Sequence, residues 1–260
     1  MDMKELIEVR ELTKVFSLSA KQRKLDHTDK KTVTAVDCLS FTAKEGEVFG
    51  LLGPNGAGKT TTLRMLATLI KPTSGDARID GSSIVSDPAA VRSKIGFLTS
   101  ELKLEDFFTP DYLYDFFSEL HGVPQDMARE RKKELFERFG INEFAGIKVA
   151  NLSTGMKQRA SLVISLVHSP DVIIFDEPTN GLDIITAKTV TDFLLDLKQE
   201  HKTVIVSTHI FSLAEKICDR VGVIIGGRLA ACGTLPELCG NQTLEDRFFE
   251  LYDASEEKKK

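Results

Sequence analysis

The sequence predicts an α/β fold: a mostly parallel sheet as core, an antiparallel β subdomain, and an inserted helical subdomain. Three observations carry this. Short apolar runs that read as buried strands, at Glu47–Leu52, Val172–Phe175 and Thr203–Ser207, are each followed by helical spacing. The first third has strand texture around a polar, hairpin-like stretch. From about Thr109 to Ser169 the texture turns helical and interrupts the α/β rhythm.

Taken in order, Glu5–Leu12 reads as a short strand, and Thr32–Thr42, rich in Val, Thr and Phe, as another. Between them Ser17–Lys31 is polar and basic (Lys21, Arg23, Lys24, Lys30, Lys31). It is expected to form a solvated hairpin loop, with contact to lipid headgroups or a membrane partner as the sharper alternative. Thr109-Pro110 supplies an N-cap and a first-turn proline, and Leu113, Phe116, Phe117 and Leu120 are expected to share one apolar face. Asp126–Phe139 reads as a charged amphipathic helix stopped by Gly140, and Ser153–His168 as a helix stopped before Pro170. Beyond it, Thr186–Glu200 and Phe211–Cys218 read as helices. Arg220–Ile225 and Arg228–Ala231 read as a hairpin around Gly226-Gly227. Residues 1–240 are expected to form one domain with the helical part, about 99–165, inserted; 241–260 are expected to be a C-terminal helix and a charged tail whose end is frayed.

Composition narrows the function. Hydrophobic residues at 42% and charged residues at 28% of 260 allow a sizeable core and argue against disorder. A net charge of −5 argues against general nucleic-acid binding. Cys38, Cys218, Cys232 and Cys239 form no C-x-x-C pair and no zinc spacing, and read as thiols in a reducing compartment. No apolar run reaches the roughly 18 to 20 residues that span a bilayer, and the first residues lack a signal-peptide core. The expectation is a cytoplasmic protein that reaches any membrane through a partner.

The strand Glu47–Leu52 leads into Gly53-Pro54-Asn55-Gly56-Ala57-Gly58-Lys59-Thr60-Thr61, and Leu63, Leu66, Ala67 and Ile70 follow at helical spacing. Strand, glycine-rich loop and helix in that order make a P-loop, whose backbone N–H groups form a nest for phosphate oxygens. Lys59 would bring a compact positive charge to the β and γ phosphates, and Thr60 a hydroxyl to Mg²⁺. Val172–Phe175 ends in Asp176-Glu177. Asp176 is a candidate Mg²⁺ ligand. Glu177 is placed to orient or deprotonate an attacking water, because phosphoryl transfer is catalysed mainly by positioning and charge stabilisation.

Leu152-Ser153-Thr154-Gly155-Met156-Lys157-Gln158-Arg159 resembles the LSGGQ signature of ABC ATPases, with Thr154 and Met156 in place of Gly and Gln. Ser153 at a helix N-terminus also suits an anion on physical grounds. Asn180-Gly181-Leu182-Asp183 resembles the D-loop of that family, and His209 in Ser207-Thr208-His209 its switch histidine. His27, His121, His168 and His201 lack such a setting and read as structural or solvated. Phe16 resembles the aromatic that stacks on adenine. Ile95-Gly96-Phe97-Leu98-Thr99-Ser100-Glu101 aligns with the Q-loop, with Ser100 where Gln is usual; its hydroxyl could reach the metal through water, or Glu101 could substitute.

This resemblance, covering residues 5 to 240, implies a P-loop NTPase core that binds ATP and Mg²⁺ and works as a head-to-tail dimer. Each ATP would touch the P-loop of one chain and Ser153-Thr154-Gly155 of the other. One motif set per chain implies pairing with itself or a similar chain. It further implies a transmembrane permease partner docked on the helical insert, and a peripheral location on the cytoplasmic membrane face. Thr99 and the Ser-Thr-Gly-Met signature look most like the sodium-export or antibiotic-export branch of bacterial ABC ATPases. A soluble non-transport ABC ATPase, a P-loop kinase, and a regulatory ABC subunit are the competing readings.

Overall fold

The computed structural model describes residues 4–25, 28–99 and 104–257. His27, Ser100, Glu101 and the last three lysines lie outside the described residues. Two sheets organise the chain. The first holds β1 (Glu5–Ser17), β2 (Thr32–Lys44), β4 (Ser74–Ile79) and β5 (Ser82–Ser83) in the antiparallel order β2-β1-β4-β5. The second holds β3 (Val48–Leu52), β6 (Ile95–Thr99), β7 (Val172–Asp176), β8 (Thr203–Thr208), β9 (Arg220–Ile225) and β10 (Arg228–Thr234) in the order β10-β9-β3-β8-β7-β6. All its pairs are parallel except the β9–β10 hairpin.

The apolar strands are continuous because this second sheet is covered on both faces. Val48 and Leu52 of β3 face one core cluster while Phe49 and Leu51 face the other. The same alternation divides Ile173 and Phe175 from Val172 and Ile174. Phe41 of β2 stacks on Phe49 of β3 with centroids 4.9 Å apart, which ties the two sheets together.

Helix α1 (Ala20–Leu25) occupies the stretch read as a plain hairpin loop, and Leu18 N–H donates to the Lys31 carbonyl across its base. The run has few strong local breakers, so one basic helical turn forms on the β1–β2 connection. α2 (Lys59–Leu66) follows β3, and α3 (Pro88–Lys94) precedes β6.

Between β6 and β7 lie α4 (Pro110–Leu120), α5 (Gln125–Arg138) and α6 (Thr154–Ser165). Thr109 caps α4 by accepting from the Tyr112 N–H. The expected apolar face of α4 is corrected. Leu113, Tyr114 and Ser118 are buried and Phe117 packs on the core, whereas Phe116 and Leu120 are exposed. Tyr114 rotates the buried stripe because it packs edge-on against Phe136 of α5, with centroids 5.5 Å apart. The chain ends in α7 (Ile184–Gln199) before β8, α8 (Phe211–Ile217) after it, then α9 (Leu235–Cys239) and α10 (Leu244–Glu257). Among the described residues no helix is long and apolar enough to cross a membrane.

His168 illustrates how tightly the helical part sits on the sheet. Its ring stacks on His121 at 4.1 Å, and its Nε2–H donates to the Ile95 carbonyl at 3.0 Å, leaving buried Nδ1 without a partner. Burial pushes the His168 imidazole down to about 4, while a free imidazole titrates near 6.5. The unfolded chain therefore binds more protons between those two values, and stability falls as pH drops from 6.5 towards 4. Unfolding midpoints measured across that window are expected to decline in the wild type and to decline less in His168→Gln. Equal slopes would assign the acid sensitivity elsewhere.

Candidate functional site

Strand register assembles the site. Leu52 at the end of β3 pairs with Thr208 of β8, and Asp176 at the end of β7 pairs with Ser207. The loops after these three strands therefore emerge together at the C-terminal edge of the parallel sheet, where α/β folds place ligands.

The loop Gly53–Gly58 needs its glycines. A Cβ on Gly53 would lie 2.3 Å from the Ile224 carbonyl oxygen, and one on Gly58 would lie 2.4 Å from that of Ala35. Gly58 also adopts φ +104, which a side chain disfavours. The result is a cavity of about 260 Å³ lined by Pro54, Asn55, Gly56, Gly58, Lys59, Thr60 and Thr61, with Ala35 and Glu177 completing its wall. Ala57 does not line it: its side chain is buried and its N–H donates to the Pro54 carbonyl. Lys59 is 4% exposed and donates to the Gly53 carbonyl at 2.7 Å and the Pro54 carbonyl at 3.2 Å.

Four charged or titratable side chains converge here. Lys59 Nζ lies 3.3 Å from one carboxylate oxygen of Glu177, and His209 Nδ1 lies 2.6 Å from the other. Asp176, 3% exposed, accepts on one oxygen from Ser207 Oγ at 2.6 Å and Thr60 Oγ1 at 3.1 Å. A buried carboxylate beside a P-loop hydroxyl is the hard oxygen set that Mg²⁺ prefers, so the residues present fit that ion. Glu177 has φ +53, left-handed for a residue with a side chain. Its N–H donates to Ser207, to the carbonyl at 3.2 Å and to the hydroxyl at 3.0 Å, which holds it there. Such backbone strain gathers where a side chain must be aimed.

Ser207 is a residue that motif reading missed. Its signal was available: a hydroxyl inside an otherwise apolar buried strand, next to a strand that ends in a carboxylate. Gln158 was missed likewise. Its Nε2 donates to the Asn180 carbonyl at 3.0 Å and so links α6 to the turn before Asp183.

The signature residues sit apart from the P-loop cavity. Ser153 is the exposed N-cap of α6 and accepts from the Met156 N–H at 3.3 Å. Gly155 follows in the first turn, and Met156 packs on the core. Thr154 lines a larger cleft of about 600 Å³ between the helical part and the sheet, which Asp176 and Glu177 also reach. Asp183 caps α7, accepting from the N–H groups of Ile185 and Thr186. The Thr186 hydroxyl donates to it as well and holds its carboxyl below the usual range. Phe16 lies at the end of β1 opposite Val33, in the strand whose Ala35 touches Gly58, and is partly exposed under the Lys14 ammonium.

A parallel sheet carrying a phosphate nest, a lysine, and a strand-end Asp-Glu pair defines a P-loop nucleoside triphosphatase. The chain belongs to the ABC transporter family, whose profile matches residues 36–180. It is similar to the ABC transporter ATP-binding protein NatA of Bacillus subtilis, 39% identical over 84% of this chain and 89% of that protein. It is also similar to the Nod factor export ATP-binding protein I of Ralstonia nicotianae, 38% identical over 79% of this chain and 64% of that protein. Among solved structures, a dimeric ATP-binding cassette in a post-hydrolysis state with ADP and phosphate matches with TM-score 0.77 and 25% identity, over 88% of this chain and 98% of that one. The chain is therefore an ATP-binding, ATP-hydrolysing subunit of the ABC transporter type.

Proposed function

We propose that this chain powers an exporter: two copies close head to tail on two Mg-ATP, and hydrolysis releases them, moving a separate transmembrane permease. The observation that carries this is the division of the site. Lys59, Thr60 and Glu177 line one cavity, with Asp176 bonded to Thr60 and His209 to Glu177, while Ser153 stands exposed at the N-terminus of α6 on another part of the surface.

In this reading Lys59 binds the β and γ phosphates and Thr60 and Asp176 hold Mg²⁺, which when bound neutralises phosphate charge. Glu177 orients the attacking water and takes its proton; His209 keeps the Glu177 carboxylate in place. Ser153, Thr154 and Gly155 of the second copy present N–H groups and a hydroxyl to the γ-phosphate. Phe16 stacks on adenine. Ser100 remains the proposed link from the metal to the helical part. Residues 1–240 act as one ATPase domain, with 99–165 as its coupling insert and 241–260 appended.

The permease is proposed to dock on the exposed side of α4, where Phe108, Tyr112 and Phe116 form a stacked ladder with centroids 4.7 and 6.2 Å apart. An apolar strip of this kind on a charged helical block marks a contact surface. In this reading the chain works peripherally on the cytoplasmic face of a membrane. Export is favoured because the signature and Thr99 match the export branch and because a relative is named for export.

Ser153→Arg tests the composite site. It is expected to leave ATP affinity of the single chain within about twofold and to abolish ATP-driven dimerisation, read by light scattering with Mg-ATP. A dimer of normal mass in the variant would contradict the head-to-tail arrangement.

A further inference from the structure

We infer that the exposed Ile184–Ile185 pair of one copy seats in an aromatic cavity beside the P-loop of a second copy, as a knob in a hole on each side of the two-fold. The inference rests on the dimer proposed above and assigns residues to it.

Ile184 is 89% and Ile185 79% exposed, the two most exposed large aliphatic side chains at a helix start in the described chain. They directly follow Asp183, whose cap fixes the first turn of α7 and holds both isoleucines outward. Among the described residues neither core cluster includes them. Elsewhere on the surface, Pro54, Phe211, Phe248, Phe249 and Tyr252 line an apolar cavity of about 410 Å³ with His209 at its edge. Its far wall is α10: Phe248 packs on Phe211 at 5.3 Å and on Phe249 at 5.5 Å, which sets the rings as a rigid cup. Phe249 itself remains half exposed.

A second copy is the occupant for three reasons. The cavity shares Pro54 with the nucleotide cavity and His209 with the Glu177 cluster, so a chain that covers the triphosphate also covers it. The knob adjoins Asp183, and the Gln158–Asn180 hydrogen bond ties the turn before Asp183 to α6, whose N-terminus at Ser153 the proposed dimer brings to the opposite triphosphate. One chain carries both knob and hole, and a two-fold pairs them twice and leaves neither exposed, which gives a closed assembly and not a filament. The similar cassette of known structure is a dimer. This arrangement gives α10 a role: its aromatic face completes the socket that reads whether the partner has closed over ATP.

The test uses the full chain carrying Glu177→Gln, with Cys38, Cys232 and Cys239 changed to Ser. Ile185→Cys in one preparation is mixed with Phe249→Cys in another, and a short bis-maleimide is added with Mg-ATP or without nucleotide. The expected result is a cross-linked pair that forms with Mg-ATP and not without it. In parallel, Ile184→Asp with Ile185→Asp is expected to raise the protein concentration needed for the ATP-driven dimer by at least about tenfold, with ATP binding per chain unchanged as the check on folding. A normal dimer in the Asp variant, with no cross-link, would overturn this assignment and leave the head-to-tail dimer standing; the cavity would then belong to another occupant, such as the permease. Absence of any ATP-driven dimer in the Glu177→Gln parent would overturn both.

Discussion

Glu177→Gln is expected to lower steady-state ATP turnover by about a hundredfold or more, the scale of a lost general base, while ATP affinity stays within about threefold. The substitution is nearly isosteric, so the left-handed backbone at this position and its two bonds to Ser207 are retained. What disappears is the negative charge between Lys59 and His209, and with it the proton acceptor. A phosphate-release assay with a parallel nucleotide titration reads both quantities. Turnover at the wild-type rate would remove Glu177 from the chemistry and leave it as a partner that holds Lys59.

Lys59→Ala has the second large expected effect, and it falls on binding. A charge-assisted hydrogen bond is worth roughly 1.5–3 kcal/mol, or about 10- to 100-fold in affinity. Lys59 is almost wholly buried, so solvent screens it little. Its loss also removes the ammonium from the Gly53 carbonyl and leaves the Pro54 carbonyl with the Ala57 N–H alone, which loosens the loop that shapes the nest. Calorimetric titration with Mg-ATP is expected to show at least the tenfold loss. Unchanged affinity would mean that the backbone nest alone holds the phosphates.

The contrast between the two variants follows from where each group acts. In the proposed mechanism Lys59 touches the phosphates in ground and transition states alike, so its removal is expected to weaken binding. Glu177 is proposed to act on the water, so its removal is expected to slow the reaction and leave binding intact.

Much of this was legible in the chain. The P-loop and the Asp176-Glu177 strand end were readable because their chemistry demands fixed spacing and because buried parallel strands are continuously apolar. The place of Ser207 beside the Thr60–Asp176 pair was not, since strand order β3-β8-β7 comes from packing and the sequence does not display it. The tilt of α4 was misread for a similar reason. Periodicity offered Leu113, Phe116, Phe117 and Leu120 as one face, and only the contact between Tyr114 and Phe136 shows which stripe is turned inwards. The aromatic cup on α10 draws on residues distant in sequence, Pro54, Phe211 and Phe249, and no local pattern connects them.

A structure of the Glu177→Gln chain with Mg-ATP tests the account most directly. Two copies are expected, with each triphosphate held between Lys59 of one and the α6 N-terminus at Ser153 of the other. A nucleotide bound by a single copy, with Ser153 turned to solvent at saturating ATP, would contradict it.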